Sequence, residues 1–234
     1  MGLPKIKMPR FETTLPISKR KVKYRGFTVG EEKSLLVAKE AQDESQIAIA
    51  IGDIVREVSF GAIDPDKTPF VDVVFLYVMA AARSIGNKQQ ISFSCDCPEE
   101  GEVLASADLG DVKTIVEEVD PVIRFEDTED GSGEIVITLK PISFTVFTSN
   151  DVNDDAQLFK SIVQSIVVGD EAVDIESVED SEWEEFFLSL PKDAYGKITK
   201  FLANPPRATI TAKGKCQKCG KEVTREIEGM RNFF

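Results

Sequence analysis

The stretch that decides the fold is "RATITAKGKCQKCGKEVTREIEG" (residues 207–229), in which a short cysteine-containing turn separates two alternating segments. Residues 207–215 and 221–229 alternate polar and apolar side chains, which predicts two neighbouring strands. Cys216 and Cys219 lie between them in a Cys-x-x-Cys-Gly turn. Such a turn can hold two thiolates on one metal ion while its backbone amides point at the sulfurs.

A second cysteine pair has similar surroundings. Cys95 and Cys97 lie between "ISFS" (91–94) and "EVLASADL" (102–109), which also have the period of strands. Tetrahedral zinc prefers four soft ligands, so the two turns together predict a zinc-ribbon-like site. The first pair is Cys-x-Cys and more than a hundred residues separate the pairs, which excludes a self-contained zinc ribbon. The predicted cofactor is one structural zinc, held by Cys95, Cys97, Cys216 and Cys219.

Other states of the four cysteines remain open at this point. Disulfides are disfavoured because no secretory signal is visible, which also predicts that the protein stays in the cytosol where it is made. A redox-active Cys-x-x-Cys would be expected at a helix N-terminus rather than between strands. Reduced thiols without a metal are the remaining alternative, since the first pair departs from the usual spacing.

Composition predicts an acidic globular protein with one or two compact domains. The 234 residues are 42% hydrophobic and carry a formal net charge of −13. This charge disfavours nonspecific binding to nucleic acid or to an anionic membrane. The most apolar run, "PFVDVVFLYVMAAA" (69–82), contains Asp72 and is too short to span a bilayer, so it predicts a core helix.

The two ends of the chain contain candidate partner-binding residues. The first 25 residues carry eight lysines and arginines against one glutamate, a net charge of +7, so the remainder carries −20. Within "FETTLPISKRKVKYRGF" (11–27), a predicted β-hairpin, the cations are either simply solvated or dock onto an acidic protein. Phe233 and Phe234 either pack in the core or contact a partner. The candidates are therefore Lys19, Arg20, Lys21, Lys23, Arg25, Phe233 and Phe234.

The remaining patterns predict an α+β protein in which helices pack around small antiparallel β-hairpins. A hairpin is predicted at "IRFEDTEDGSGEIVITLKPISF" (123–144), and one amphipathic helix is predicted from Leu158, Phe159, Ile162, Val163, Ile166 and Val167. Ser181 and Glu184 have capping-box spacing before a helix that ends at Pro191. The predicted segments are 1–92 (basic hairpin and helices), 93–149 (central β region) and 150–234 (helices and C-terminal hairpin), with one compact domain as the alternative.

No pattern of residues predicts an enzyme. The chain has no histidine, which excludes the common Ser-His and Cys-His nucleophile arrangements. It also has no GxxxxGK[ST] loop and no GxGxxG motif after a strand. Acidic runs such as "DIESVEDSEWEE" (174–185) are typical of solvated helix faces and caps. The prediction is a protein without enzymatic activity.

Three segments of the sequence carry a family resemblance. They are "GLPKIKMPRFETTLPISKRKVKYRGFTVGEEKSLLVAKE" (2–40), "LKPISF" (139–144) and "FFLSLPKDAYGKITKFLANPPRATITAKGKCQKCGKEVTREIEGMRNFF" (186–234). Together they resemble the baseplate hub protein family of T-even-like contractile-tailed bacteriophages. The most specific features are the Leu-Pro, Lys-Ile-x-x-Phe and Cys-x-x-Cys-Gly order near the end and the closing Gly-Met-x-x-Phe-Phe.

The resemblance implies a non-enzymatic role in assembly of the baseplate hub and tail, as a hub subunit or as a hub assembly factor. The implied partners are other hub and tail proteins of the phage, with the tape-measure protein as one candidate. The implied location is the host bacterial cytoplasm during assembly, with or without incorporation into the virion tail. Two alternatives stay open: a chaperone of the tape-measure protein that leaves the finished virion, and a zinc-ribbon module that binds nucleic acid.

Overall fold

The structure is a computed structural model that describes residues 6–41, 43–126, 133–149 and 154–228. The chain divides into two compact units. The first unit contains Met1–Ile115 and Arg207–Phe234, and the second contains Val116–Pro206. The three segments of the sequence analysis follow chain order, whereas these units follow strand pairing.

The α+β class predicted from the sequence is confirmed. In chain order the strands are β1 (Phe11–Thr14), β2 (Lys21–Tyr24), β3 (Lys88–Ser94), β4 (Glu102–Asp108), β5 (Lys113–Ile115), β6 (Val122–Glu126), β7 (Glu134–Leu139), β8 (Val163–Val168), β9 (Glu171–Ala172), β10 (Arg207–Cys216) and β11 (Glu222–Glu228). The helices are α1 (Val29–Glu40), α2 (Glu44–Val58), α3 (Phe70–Ser84), α4 (Phe144–Thr148), α5 (Asp155–Ile162), α6 (Asp180–Ser189) and α7 (Lys192–Ala203).

The sheet of the first unit joins distant parts of the chain. Its strand order is β11-β10-β4-β3, and β5 also pairs with β10. All of these pairs are antiparallel, with Cys216 opposite Val103 and Arg207 opposite Ile115. The two strand pairs predicted around the cysteines are therefore confirmed, and β10 and β4 place them side by side.

The helix predicted for residues 69–82 forms a buried centre of the first unit. It is α3, and its buried side chains include Val73, Leu76 and Tyr77. Helix α2 also buries one face, which consists of Ile51, Ile54, Val55 and Val58. In the described residues, no helix is long and apolar enough to cross a membrane.

Asp72 connects α3 to the basic hairpin, which is formed by β1, β2 and the turn between them. This residue has no exposed surface, although it lies in the most apolar helix of the chain. Its two carboxylate oxygens accept hydrogen bonds from the backbone N–H groups of Ile17 (2.8 Å) and Ser18 (2.9 Å) in the turn between β1 and β2. A buried carboxylate is tolerated only where its oxygens are bonded, so this pair of bonds both satisfies Asp72 and fixes the turn.

The second unit has its own sheet and hydrophobic core. Its strand order is β6-β7-β8-β9, and each neighbouring pair is antiparallel. The predicted hairpin of β6 and β7 is confirmed, while its turn lies outside the described residues. Helices α5, α6 and α7 supply the other side of the core, in which Phe159 packs edge-on against Trp183 with ring centroids 6.0 Å apart.

One predicted helix is wrong in its second half. The helix α5 ends at Ile162, and Val163, Ile166 and Val167 belong to strand β8, which pairs with β7. Four of the six residues of β8 are Val or Ile, whose β-branched side chains favour a strand when a pairing partner is available. The spacing of the apolar residues fits both periods, and pairing with β7 decides between them.

The predicted capping box is also in the wrong place. Helix α6 begins one residue before Ser181, its N-cap is Glu179, and no side-chain capping bond is formed there. A complete capping box occurs instead at the start of α1, where Thr28 and Glu31 exchange side-chain and backbone bonds. The Thr-x-x-Glu spacing in "TVGE" (28–31) was the signal in the sequence for this cap.

We expect Asp72→Ala to destabilise the first unit by about 3 kcal/mol, because it leaves two backbone amides without their charged acceptor. Asp72→Asn keeps one oxygen acceptor and should lose less. The free energy of unfolding in urea measures both. The exposed Asp111→Ala serves as the matched control and should change stability by less than about 0.5 kcal/mol. An Asp72→Ala protein as stable as this control would contradict the assigned role.

Candidate metal centre

The strand pairing of the first unit brings the four cysteines together. Cys216 ends β10 opposite Val103 of β4, and the Cys95 N–H donates to the Gly101 carbonyl across the other turn at 2.9 Å. The two turns are also linked directly, since the Gln217 N–H donates to the Glu102 carbonyl at 3.0 Å. The predicted cysteine cluster therefore rests on backbone bonds within and between the two turns.

The geometry of the sulfurs fits a metal site with four thiolates. The four Sγ atoms lie within 4.8 Å of one another, and those of Cys95 and Cys219 are 3.9 Å apart. Zinc–sulfur bonds of about 2.3 Å in a tetrahedron place sulfurs about 3.8 Å apart. All four thiols are free, since a disulfide requires a sulfur–sulfur distance of about 2 Å. Four nearby cysteines could thus hold a metal ion.

Backbone amides of the turns point at the sulfurs, as expected for metal-binding cysteine turns. Hydrogen bonds from the Cys219 and Lys218 amides lower the pKa of Cys216 to about 7, against the effect of burial. Bonds from the Gly101 and Glu99 amides likewise hold the pKa of Cys97 below its ordinary value. The Cys97 amide acts to lower the pKa of Cys95, but burial and the three neighbouring thiols raise it to about 12. The turns therefore favour the thiolate form at Cys216 and Cys97, and thiolate is the form that binds metal.

Gly101 is a site residue that the sequence analysis missed. A Cβ atom on Gly101 would lie 2.6 Å from the Cys216 Sγ and 2.6 Å from the Lys218 side chain. Real Cβ atoms do not approach other atoms so closely, so only glycine leaves room for the sulfur. The sequence signal was a glycine directly before β4, four residues after Cys97.

Arg225 links the two edge strands of the sheet near the cysteine turns. It extends from β11, yet its guanidinium lies 4.5 Å from the Phe93 ring centre on β3 and donates to the Ser94 carbonyl at 3.3 Å. It also forms an ion pair with Asp96 at 3.6 Å. Because β11 and β3 are the two edges of the sheet, these contacts require the sheet to curl. The contact between Cys95 and Cys219 links the same two strand pairs.

The basic hairpin is present, but its five candidate cations differ in what they contact. Lys21 and Lys23 are exposed on β2, and Val22 and Tyr24 on the same strand are buried. The Lys19 ammonium donates to the Pro16 carbonyl at 2.5 Å, and Arg20 donates to the Ala62 carbonyl at 2.9 Å. The other candidate residues at the end of the chain, Phe233 and Phe234, lie outside the described residues.

Arg25 is engaged inside the first unit. Its guanidinium binds both carboxylate oxygens of Glu31, at 2.6 and 2.8 Å, and only 15% and 14% of the two side chains are exposed. Glu31 also accepts from the Thr28 N–H, so one carboxylate serves the ion pair and the α1 cap. Burial acts to raise the pKa of Glu31, but the bonds from Arg25 and Thr28 outweigh it and hold that pKa below its ordinary value.

Comparison with known proteins identifies the family. The model of the family described as T4 bacteriophage base plate protein matches residues 8–234. The chain belongs to this family. No curated protein and no solved structure matches the chain. The baseplate protein family agrees with the resemblance seen in the sequence, and it points to a structural or assembly role in the baseplate, in contact with other baseplate and tail proteins.

We expect the purified baseplate protein to contain about one zinc per chain by elemental analysis, as four thiolate ligands bind one ion. Cys216→Ser and Cys95→Ser should each release the metal and lower the melting temperature, because binding free energy of about 10 kcal/mol is coupled to folding in such sites. Metal-free protein with an undiminished melting temperature would refute the site. Zinc retained after loss of Cys95 would show that the C-terminal pair binds metal with other ligands.

Gly101→Ala tests the same site with all four thiols intact. The added methyl group should displace the Cys216 sulfur and weaken zinc retention during dialysis against a chelator, by about tenfold or more. Gly30→Ala is the matched control, since the nearest atom to a Cβ there is 3.8 Å away. Equal zinc retention by the two variants would contradict the close approach described for Gly101.

The pair of Arg25 and Glu31 predicts a pH dependence of stability. The pKa of Glu31 is lower in the folded state than in the unfolded state. Its contribution to the free energy of unfolding is therefore fully present above the unfolded pKa and is lost as pH falls through the folded pKa. We expect Glu31→Gln to cost about 1 kcal/mol at neutral pH. This difference from the original protein should shrink toward about pH 3 in urea unfolding. Glu134→Gln, in the exposed pair with Arg124 (3.3 Å), should have little effect at either pH.

Proposed function

We propose that this protein is a non-enzymatic baseplate hub protein that acts in assembly of the baseplate hub and tail, as a hub subunit or a hub assembly factor. The observation that carries the proposal is the family match over residues 8–234. The hub assignment comes from the three segments that resemble hub proteins in the sequence analysis. Its direct partners are other hub and tail proteins of the phage, and the tape-measure protein is one candidate among them.

In this role the four cysteines hold a structural zinc. With Cys95, Cys97, Cys216 and Cys219 all bound, a tetrahedral ion has no open position for a catalytic water. The zinc would supply stability by joining the turn between β3 and β4 to the turn between β10 and β11. This is what an assembly protein requires, since a rigid unit can present its surface to partners without losing free energy to ordering.

The basic hairpin is the proposed docking element. On β2 the exposed Lys21 and Lys23 alternate with the buried Val22 and Tyr24. Asp72 holds the turn that precedes this strand. The hairpin is therefore a fixed support for positive charge. An acidic surface on a baseplate or tail protein is the complementary partner, because opposite charges steer association and fix orientation.

Mass spectrometry of purified virions, together with affinity capture from infected cells, tests the proposed function. A hub subunit should be present in the virion at a fixed ratio to other baseplate proteins. An assembly factor should be captured with hub or tail proteins and be absent from the virion. Capture of the tape-measure protein alone, with no hub protein, would favour the chaperone. Normal baseplates after deletion of the gene would contradict every form of the proposal.

We expect Lys21→Glu together with Lys23→Glu to reduce tail assembly about tenfold or more while leaving the melting temperature nearly unchanged. Exposed charges contribute little to stability but strongly affect docking between charged surfaces. The defect should be measured as infectious particles per cell after complementation of a deletion phage. Added salt should weaken partner binding in vitro.

The matched control carries the same charge change elsewhere. Lys88→Glu with Lys113→Glu reverses two exposed lysines that are also on strands of the first unit, β3 and β5. This control should assemble tails normally. If the control is as defective as the hairpin variant, the effect is due to overall charge. If both variants assemble tails normally, the hairpin is not the docking element.

A further inference from the structure

Helices α1 and α2 leave an open groove between them. The two helices are neighbours joined by a short connection, and the groove has a volume of about 610 Å³. Its apolar lining consists of Val37, Ala38, Ile49, Ala50 and Ile54. Val37 is 59% exposed and Ile49 is 64% exposed. Two branched aliphatic side chains this exposed in one groove favour a partner that covers them.

The groove is also acidic. Its carboxylates are Glu31, Asp53 and Glu57, and none of the described side chains that line it is a lysine or arginine. All three carboxylates have a nearby cation, Arg25 for Glu31 and Glu57 and Arg56 for Asp53. The wider surface stays acidic nonetheless, because residues 29–58 carry seven carboxylates against three cations. The charge complementary to this surface is positive.

The spacing of the lining residues fits a helix. Along α2 the lining follows one continuous stripe from Gln46 to Glu57, which covers three helical turns, or about 16 Å. Along α1 the lining residues recur over two turns, from Glu31 to Ala38. A third helix placed along the groove would insert side chains three and four residues apart between these two stripes.

We propose that the groove binds an amphipathic helix of another phage protein, with aliphatic side chains at helical spacing on one face and lysines or arginines beside them. The aliphatic face would cover Val37 and Ile49, and the cations would lie near Asp53 and Glu57. This inference names a partner type for the proposed assembly function and rests on that function for its biological setting. The binding surface itself is defined by the geometry of α1 and α2.

A synthetic peptide of about 18 residues provides the probe, with leucines at positions i, i+3, i+4 and i+7 and lysines flanking them. Binding to the full chain is measured by fluorescence anisotropy. We expect a matched peptide with glutamates in place of lysines to bind about tenfold more weakly or worse. Ile49→Ser should weaken the lysine peptide by about tenfold, since burial of an isoleucine side chain corresponds to at least that factor in affinity.

Variants outside the groove separate specific binding from general attraction. Leu36→Ser is the control for Ile49→Ser, since Leu36 is 53% exposed on α1 and does not line the groove. Glu57→Lys should also weaken binding of the lysine peptide, and Glu40→Lys is its control. Equal binding by Ile49→Ser and Leu36→Ser would overturn the proposal. A dimer in light scattering that Ile49→Ser converts to a monomer would also overturn it, because the occupant would then be a second copy of this chain.

Photo-crosslinking in infected cells identifies the natural occupant. A photoreactive residue at position 49 should form a crosslink to a helical, basic segment of another phage protein. The same photoreactive residue at position 36 should not form this crosslink. An acidic or extended segment would contradict the proposal. If the groove does not bind the peptide, deletion of the gene should still impair baseplate assembly. If deletion of the gene leaves baseplates normal, the assembly function is refuted, but peptide binding to the groove is unaffected. The two failures are therefore distinguishable.

Discussion

Pairing of β10 with β4 is the constraint on which the first unit depends. Strands β4 and β10 are about a hundred residues apart in the chain, and their register places Cys216 opposite Val103. Without this pairing, the turn that carries Cys95 and Cys97 would not lie beside the turn that carries Cys216 and Cys219. The curl of the sheet, the space left by Gly101 and the contact of Arg225 with Phe93 then bring the four sulfurs to distances that suit a metal ion. The candidate site is thus a product of sheet topology.

Much of this site could be predicted from the sequence, because its signals are local. Each cysteine pair lies between two alternating segments, so both strand pairs and their turns are visible in the sequence. The partnership between the two pairs was inferred from their similar surroundings and from the number of ligands that zinc requires. Gly101 and Arg225 could not be predicted, since their roles depend on distances across the curled sheet. The same applies to Asp72, which could be seen as an interruption in an apolar helix but not as an acceptor for the hairpin turn.

The errors in the predicted elements have physical causes. Val163, Ile166 and Val167 continue the spacing of α5, yet pairing with β7 makes them a strand. The spacing of Ser181 and Glu184 matches a capping box, but the helix begins earlier and the bonds are not made. Arg25 looks like one more cation of the hairpin, and only the folded chain shows that it is bound to Glu31. For β8 and Arg25 a contact with another element decides the outcome, whereas for α6 the position of the helix start does.

The opposition of Ile115 and Arg207 has a consequence for how this protein can vary. These two residues are Cα partners in adjacent antiparallel strands, so the chain leaves the first unit and returns to it at a single paired position. Such partners lie about 5 Å apart, a gap that a short hairpin loop can bridge. The intervening 116–206 is therefore topologically an insertion within the β5–β10 connection. Relatives could exchange, shorten or lose this insertion while every strand of the cysteine-bearing sheet keeps its register.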